Sequence, residues 1–471
     1  TCQSVRYKAS GNDSQQDRHD DDFANYLAQR HSSQQVISAC LSFTEPTSSI
    51  SASQPANTSR MPLPEGTLTV GVGLFIAGIS AFVFFKIGQQ ALGQDGFKPI
   101  VAMWFIAFSL APGFFLPIEQ EVGRALSHRQ ALNQGGRPII RRMIPLAATM
   151  LVALAIIIAI AAPHLTEHLF DGYGVVVVCL VLTLVSYAPM HLARGICSGS
   201  QRFGAYGIII GADGAARVIG VAVLWALGVD SVGAFALMIA LSPLVGVIGV
   251  GVFGKLHTDV GPPAPWSEVT PNLGWLLLGS LFAAALVNAG PITVDILGTD
   301  AKPELITQFG NAVIFARIPL FLFQAVQAAL LPRLARLAAQ GHLDEFRSAL
   351  RKLLVLVVGV GVVGTIGAFA IGPAVLKLIY EGNIDRRTLT LLALSSAIYM
   401  VAVAFAQATI ALRGHALAGI GWALGFASFV ALAAWSSDDL YLRVEIALVG
   451  SSAVALISFM LALRSRMLKF S

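Results

Sequence analysis

Three groups of residues in this chain have types and spacings that could do chemistry. His164-Leu165-Thr166-Glu167-His168 has the H-x-x-E-H spacing of inverted zinc proteases. Gly249, Gly251 and Gly254, and again Gly359, Gly361 and Gly364, repeat the G-x-G-x-x-G pattern that elsewhere cradles a dinucleotide. The third group is a set of ionisable side chains inside otherwise apolar stretches: Lys86, Asp213, Arg217, Asp295 and Arg317.

The first two groups lack the setting their chemistry needs. The histidine segment has a second copy, about 210 residues on, in an arrangement typical of duplicated membrane proteins. There Pro373-Ala374-Val375-Leu376-Lys377-Leu378-Ile379-Tyr380-Glu381-Gly382 aligns with Pro163-His164-Leu165-Thr166-Glu167-His168-Leu169-Phe170-Asp171-Gly172. The second copy carries Ala374, Lys377 and Leu378 where the first has His164, Glu167 and His168, so the shared role of the segment needs no metal. Neither glycine run follows a strand and opens a soluble helix, as a dinucleotide site requires. Both read as helix-packing positions, as do the GxxxG pairs Gly207/Gly211 and Gly421/Gly425. Neither a P-loop nor a nucleophile elbow is present, and no cofactor, metal site or catalytic residue is expected. Four cysteines (Cys2, Cys40, Cys179, Cys197) are too scattered for a zinc site or a disulfide framework.

The charged residues are different, because of where they lie. The chain is 55% hydrophobic and 12% charged, about half the charge of a soluble domain, with a mean hydropathy of +0.72. Its apolar residues come in blocks of about 20, the length that crosses a hydrocarbon core of ~30 Å. The expected class is an all-α polytopic membrane protein with about twelve spans. These run roughly over 67–88, 98–117, 143–163, 173–195, 203–228, 232–254, 272–297, 304–331, 352–379, 387–412, 415–435 and 441–464. The repeat extends to Ser186 with Ser396, Gly204 with Gly414 and Gly211 with Gly421. An even number of spans separates the copies, so two six-helix lobes are expected to run parallel.

The expected parts are a disordered polar tail over 1–64, a first lobe over 65–256, a cytoplasmic linker over 257–271 and a second lobe over 272–471. Met61 reads as a natural start just before the first span. Arg124, Arg129, Arg137, Arg141 and Arg142 follow span 2, and Arg333, Arg336, Arg347, Arg351 and Lys352 follow span 8. By the positive-inside rule both termini are cytoplasmic. The net charge of +5 resides in such loops, which excludes nucleic acid as a partner. Residues 118–142 and 332–351 read as amphipathic helices on the inner membrane surface.

A charge near the centre of a span costs roughly 2.5–3.5 kcal/mol to insert, so such groups face a bundle interior or a wet cavity. Asp213 and Arg217, four apart on one helical face, are expected to form an internal ion pair. Lys86 and Arg317 have no partner at helical spacing and stand between substrate contact and snorkelling. His191 and Arg194 read as interfacial. Asn288, Gln308, Asn311, Gln324 and Gln327 concentrate polarity in spans 7 and 8, the expected lining of a cavity.

Several segments together resemble a known family over about residues 65–465. They are Leu92-Gly93-Gln94-Asp95-Gly96-Phe97 closing span 1, Pro117-Ile118-Glu119-Gln120-Glu121-Val122-Gly123-Arg124-Ala125 closing span 2, and Asp295-Ile296-Leu297-Gly298 ending span 7. Phe323-Gln324-Ala325-Val326-Gln327-Ala328-Ala329-Leu330-Leu331-Pro332-Arg333-Leu334 closes span 8. The chain resembles the polysaccharide-exporter, O-antigen-type branch of the multidrug/oligosaccharidyl-lipid/polysaccharide flippase superfamily. The resemblance implies a transporter of the bacterial plasma membrane, without enzymatic activity. It would carry a polyprenyl-diphosphate-linked glycan to the outer leaflet by alternating access, for polysaccharide or lipopolysaccharide biosynthesis. Lys86 and Arg317 become candidates for holding the diphosphate, with Asp295, Asn288 and Gln324 beside them. Membrane lipids, a glycan polymerase and glycosyltransferases are the implied partners. Fewer arginines in spans 1 and 2, and twelve spans against fourteen, set the chain apart from peptidoglycan-precursor flippases. The alternatives are a cation-coupled drug or metabolite antiporter of the related extrusion family and a non-transporting scaffold for cell-wall assembly.

Overall fold

A computed structural model describes residues 67–298, 302–320, 340–380 and 384–470, together with Phe323, Leu334, Leu337 and Ala338. The expected tail and Gln324 lie outside these described residues. Among the described residues the chain is helical throughout, and ten helices are long and apolar enough to cross a membrane. It is an all-α, multi-pass membrane protein.

The first helix, α1 (Thr67–Ala131), has 65 residues and would be about 100 Å long if straight. It is folded in two at Gly93, where φ is 73° and ψ 170°, a conformation that glycine alone adopts without penalty. The ring contacts show how tight the fold is. Phe84 stacks on Trp104 at 5.4 Å and Phe85 meets Phe97 edge-on at 5.2 Å. Twenty residues along a straight helix would separate Phe84 from Trp104 by about 30 Å. The two arms of α1 are therefore spans 1 and 2, packed along a wholly buried aromatic seam.

The remaining elements follow in order: α2 (Arg137–His168), α3 (Gly174–Gly199), α4 (Phe203–Ala226), α5 (Val232–Val252), a short α6 (Trp266–Val269), α7 (Leu273–Leu297), α8 (Pro303–Ala316), α9 (Leu343–Tyr380), α10 (Arg386–Ala411), α11 (His415–Trp435) and α12 (Leu440–Phe470). The duplication is visible in conformation as well as in sequence. Helices α3 and α10 have 26 residues each. Each is followed by a left-handed residue that is not glycine, Gln201 at φ 57° and Arg413 at φ 58°. Matching strain at matching places follows from one backbone plan used twice. Asp385 and Asp439 cap α10 and α12, accepting the backbone N–H of Thr388 and Leu442 at 3.2 and 2.9 Å.

Small residues set the helix spacing. A side chain at Gly73 would strike the Gly207 carbonyl, and one at Gly207 would strike that of Thr69, so α1 and α4 pack backbone to backbone. Gly361 and Gly364 likewise pack on Ala397 and Pro319. The first G-x-G-x-x-G run departs from the packing expectation. Gly249 faces open space, and Gly254 (φ 67°) forms the turn that ends α5.

Residues 118–131 are not a surface helix. They continue α1, with Glu119, Glu121, Val122, Ala125, Leu126 and Arg129 buried. The amphipathic pattern there arises because one face packs on α3 and on the segment after α5, where Gly123 approaches Ser198 and Gly199 approaches Leu126. Helices from the two halves of the sequence meet where the second arm of α1 runs beside α7. Ser280 donates to the Gly113 carbonyl at 2.6 Å, Asn288 to that of Phe108 at 3.0 Å, and Lys98 reaches Asp295 at 3.2 Å.

Candidate functional site

Arg317 stands at the C-terminal end of α8, just after the last helical turn, and is 9% exposed. Its guanidinium donates through Nη1 to Asn288 Oδ1 at 2.9 Å and through Nη2 to the Val287 carbonyl, both on α7. The same group lies over the Phe105 ring of α1, 5.2 Å from its centroid. Asn288 is itself fixed, donating to the Phe108 and Ala284 carbonyls at 3.0 and 2.8 Å. Its oxygen is therefore aimed at the arginine. No carboxylate among the described residues lies within 4.0 Å of Arg317. Its charge is met by an amide, a carbonyl and a ring face.

Beside Arg317 is a small cavity of about 20 Å³, room for about one water. Ser395, Ser396, Tyr399 and Ser452 supply hydroxyls to its wall, and Leu286 and Leu392 supply apolar surface. A diphosphate headgroup does not fit in this volume.

The other expected site residues are dispersed. Lys86 is half-buried on the first arm of α1. Asp295, in the last turn of α7, is 6% exposed and shares Lys98 with Asp171. Lys98 Nζ lies 2.7 Å from Asp171 Oδ1 and 3.2 Å from Asp295 Oδ1. Asp295 thus ties α7 to α1, while its Oδ2 has no hydrogen-bond partner among the described residues. Gln89 and Asn311 exchange hydrogen bonds at 2.7 and 3.0 Å across the same seam. Thr307 donates to the Gln94 carbonyl at 2.8 Å.

Asp213 and Arg217 form a buried ion pair at 2.6 Å. Ser242 donates to Asp213 Oδ1 at 2.6 Å, and Arg217 lies over the Trp104 and Phe108 rings. Tyr187 bridges the two, 3.4 Å from Asp213 and 3.3 Å from Arg217.

One network escaped sequence reasoning. His191 is buried, and Glu119 from α1 holds both it and Arg194. His191 Nδ1 lies 2.8 Å from Glu119 Oε2, Arg194 Nη2 is 3.2 Å from Oε1, and Tyr206 donates to Oε1 at 2.8 Å. The signal available in the sequence was the three-residue spacing of His191 and Arg194 on one face. Their acid comes from 72 residues away in the chain, which no local pattern reveals.

The His164–His168 segment holds two stacked rings, 4.3 Å apart. No group of three metal-ligating side chains occurs among the described residues.

The family model "Lipid II flippase MurJ" matches residues 268–431, a segment that contains Asn288, Asp295 and Arg317. Among curated proteins, an uncharacterized protein of Mycobacterium tuberculosis (strain ATCC 25618 / H37Rv) is 23% identical over 386 residues, covering 75% of this chain and 81% of its own. An uncharacterized protein of Mycobacterium bovis matches equally. Among solved structures, the bent form of the Vibrio cholerae MATE transporter VcmN aligns with a TM-score of 0.58 at 16% identity, over 86% of this chain and 100% of its own. An inward-facing multidrug resistance MATE transporter of the MOP superfamily aligns with a TM-score of 0.63 at 12% identity, over 86% and 97%. A MATE transporter in complex with MaL6 reaches 0.65 at 12% identity, over 86% and 96%. At these identities the likeness speaks for architecture, and the chain has the fold of the MATE transporters.

Proposed function

We propose that this protein is a flippase that moves a polyprenyl-diphosphate-linked glycan precursor across the bacterial plasma membrane by alternating access, with no enzymatic step. Two six-helix lobes, over 65–256 and 272–471, would rock about the seam between α1 and α7, with both termini in the cytoplasm. The observation that carries this reading is Arg317. Each of the five buried carboxylates described, Glu119, Glu121, Asp213, Asp295 and Glu445, has a basic neighbour within 3.5 Å. Arg317 is the buried base among the described residues that has no acid. Holding an uncompensated cation inside the membrane is costly, and an anionic headgroup arriving between the lobes would supply its counter-charge. The match to a lipid II flippase model supports a lipid-linked glycan as cargo and brings lipid II itself within the substrate class.

A cation-coupled drug antiporter would need an acid free to bind a cation. The partnered carboxylates above favour the flippase. Lys86 is the second candidate contact for the diphosphate, with Asn288 positioning Arg317, while Asp295 and Lys98 close the opposite end of the seam. The test is reconstitution into vesicles with a fluorescent polyprenyl-diphosphate sugar, following its appearance in the outer leaflet. Arg317→Ala and Lys86→Ala should each slow transport while the protein still folds. Unchanged transport in both variants removes the assignment.

The membrane potential bears on the drive. Two negative charges moving outward gain ~2.3 kcal/mol per charge per 100 mV of inside-negative potential. Arg317 stays in the protein, and any charge it carries along with the headgroup reduces that gain.

A further inference from the structure

The segment between α5 and α7 reads in sequence as a linker, but it is fastened along its length to one side. The Arg202 guanidinium donates to the carbonyls of Lys255 and His257 at 2.6 and 2.9 Å. The backbone N–H of Arg137 donates to the Asp259 carbonyl at 2.9 Å. Arg142 lies over the Trp266 ring at 4.9 Å, and Arg124 donates to the Glu268 carbonyl. Arg129, only 2% exposed, is the centre of the arrangement. It grips both Glu268 oxygens at 2.7 and 2.9 Å and donates to the carbonyls of Pro262 and Pro263 at 2.7 and 3.3 Å.

All of these donors belong to α1, α2 or the turn before α4. No hydrogen bond or ion pair among the described residues joins residues 255–269 to α7–α12. Ala264 and Val269 of the segment are themselves buried. Beyond Val269 the bonds to α1 and α2 end, while Thr270 donates through both its N–H and its hydroxyl to the Trp266 carbonyl, at 3.0 Å each. Thr270, Pro271 and Asn272 intervene before α7, and the bond from the Leu273 N–H back to the Thr270 carbonyl is long, at 3.4 Å.

We infer that residues 255–269 move as a rigid part of the first half and that the chain pivots at 270–272. Bidentate, charge-assisted bonds from a buried arginine resist being pulled apart, whereas at 270–272, where the ring fixes φ of Pro271 near −65°, rotation is left to ψ of Pro271 and to the dihedral angles of Asn272. The cytoplasmic arginines thus have a second job beyond orienting the protein in the membrane. The inference takes its motion from the flippase reading and adds where that motion is absorbed.

A disulfide across the fastened junction tests it. Arg137→Cys and Asp259→Cys are introduced into a protein whose four native cysteines are replaced, and oxidised with copper phenanthroline. The expected result is complete cross-linking in one phase, with outer-leaflet arrival of the fluorescent polyprenyl-diphosphate sugar within twofold of the reduced protein. In parallel, Arg129→Met should loosen the backbone of the segment, raising trypsin cleavage at the exposed Lys255 and Glu-C cleavage at Glu268 at least tenfold over the parent. Cross-linking that stops at a partial plateau, or transport that is lost on oxidation and regained on reduction, overturns the pivot. So does a parent protein cut at Lys255 as fast as the Arg129 variant. If the parent moves no lipid, the flippase reading falls, while cross-linking and proteolysis still judge the attachment.

Discussion

Arg217 and Arg317 are both buried in the helical bundle, and both lie over aromatic rings of the same arm of α1: Trp104 and Phe108 for one, Phe105 for the other. Their polar surroundings are opposite. Arg217 faces a carboxylate one helical turn away, and Ser242 and Tyr187 complete the pair within the first half. Arg317 reaches across from α8 to α7 and, among the described residues, finds an amide oxygen and a carbonyl. The first arrangement neutralises itself and stabilises one lobe. The second leaves net charge where two parts of the molecule meet, the place at which a ligand or a movement would matter.

That contrast breaks first at Arg217. Arg217→Met leaves Asp213 buried without its base and should cost about 3–5 kcal/mol, whereas adding Asp213→Leu to it should recover most of the loss. Thermal unfolding in detergent reads both, and a single variant as stable as the parent ends the claim that this pair is structural. For Arg317 the expectation is reversed. Arg317→Met should fold as well as the parent, or better, and transport at least tenfold more slowly, a difference of about 1.4 kcal/mol in the barrier.

Asn288→Leu sharpens the same comparison at smaller scale. It strips the oxygen that orients the arginine and should cost about 1–3 kcal/mol through the unpaired buried groups it leaves. Transport should fall less than in Arg317→Met, as a rate measurement on the same vesicles would show. The smallest effect belongs at the solvent edge. The Leu442 N–H, and after it Arg387, hold the Asp439 carboxyl below the usual carboxylate range. Its contribution is therefore present above the ordinary carboxylate pKa and is lost as pH falls through the lower, folded value. Asp439→Ala should remove about 1 kcal/mol of capping at neutral pH and flatten the acid side of the stability profile.

The length and spacing of apolar blocks are covalent facts, so the spans, the duplication and the Asp213–Arg217 pair were legible from residues alone. Helical spacing links positions three and four apart, which is why that pair could be seen. It could not show that His191 and Arg194 share an acid, because Glu119 lies on another helix. It also made residues 118–131 look like a surface helix, because the partners of their packed face lie on α3 and far along the chain.

The sequence by itself determined that the chain must cross a membrane many times in two related halves, since bilayer thickness and the cost of inserting charge leave no other use for such blocks. Tertiary structure alone decided which buried charges are answered and which is not, that Lys98 serves Asp171 and Asp295 together, and that the segment after α5 belongs to the first half. The physical reason is distance along the chain. Compensation of a buried charge is settled within about 4 Å of space, and the charged partners of Glu119, Lys98 and Arg129 described above lie 72 to 197 residues away.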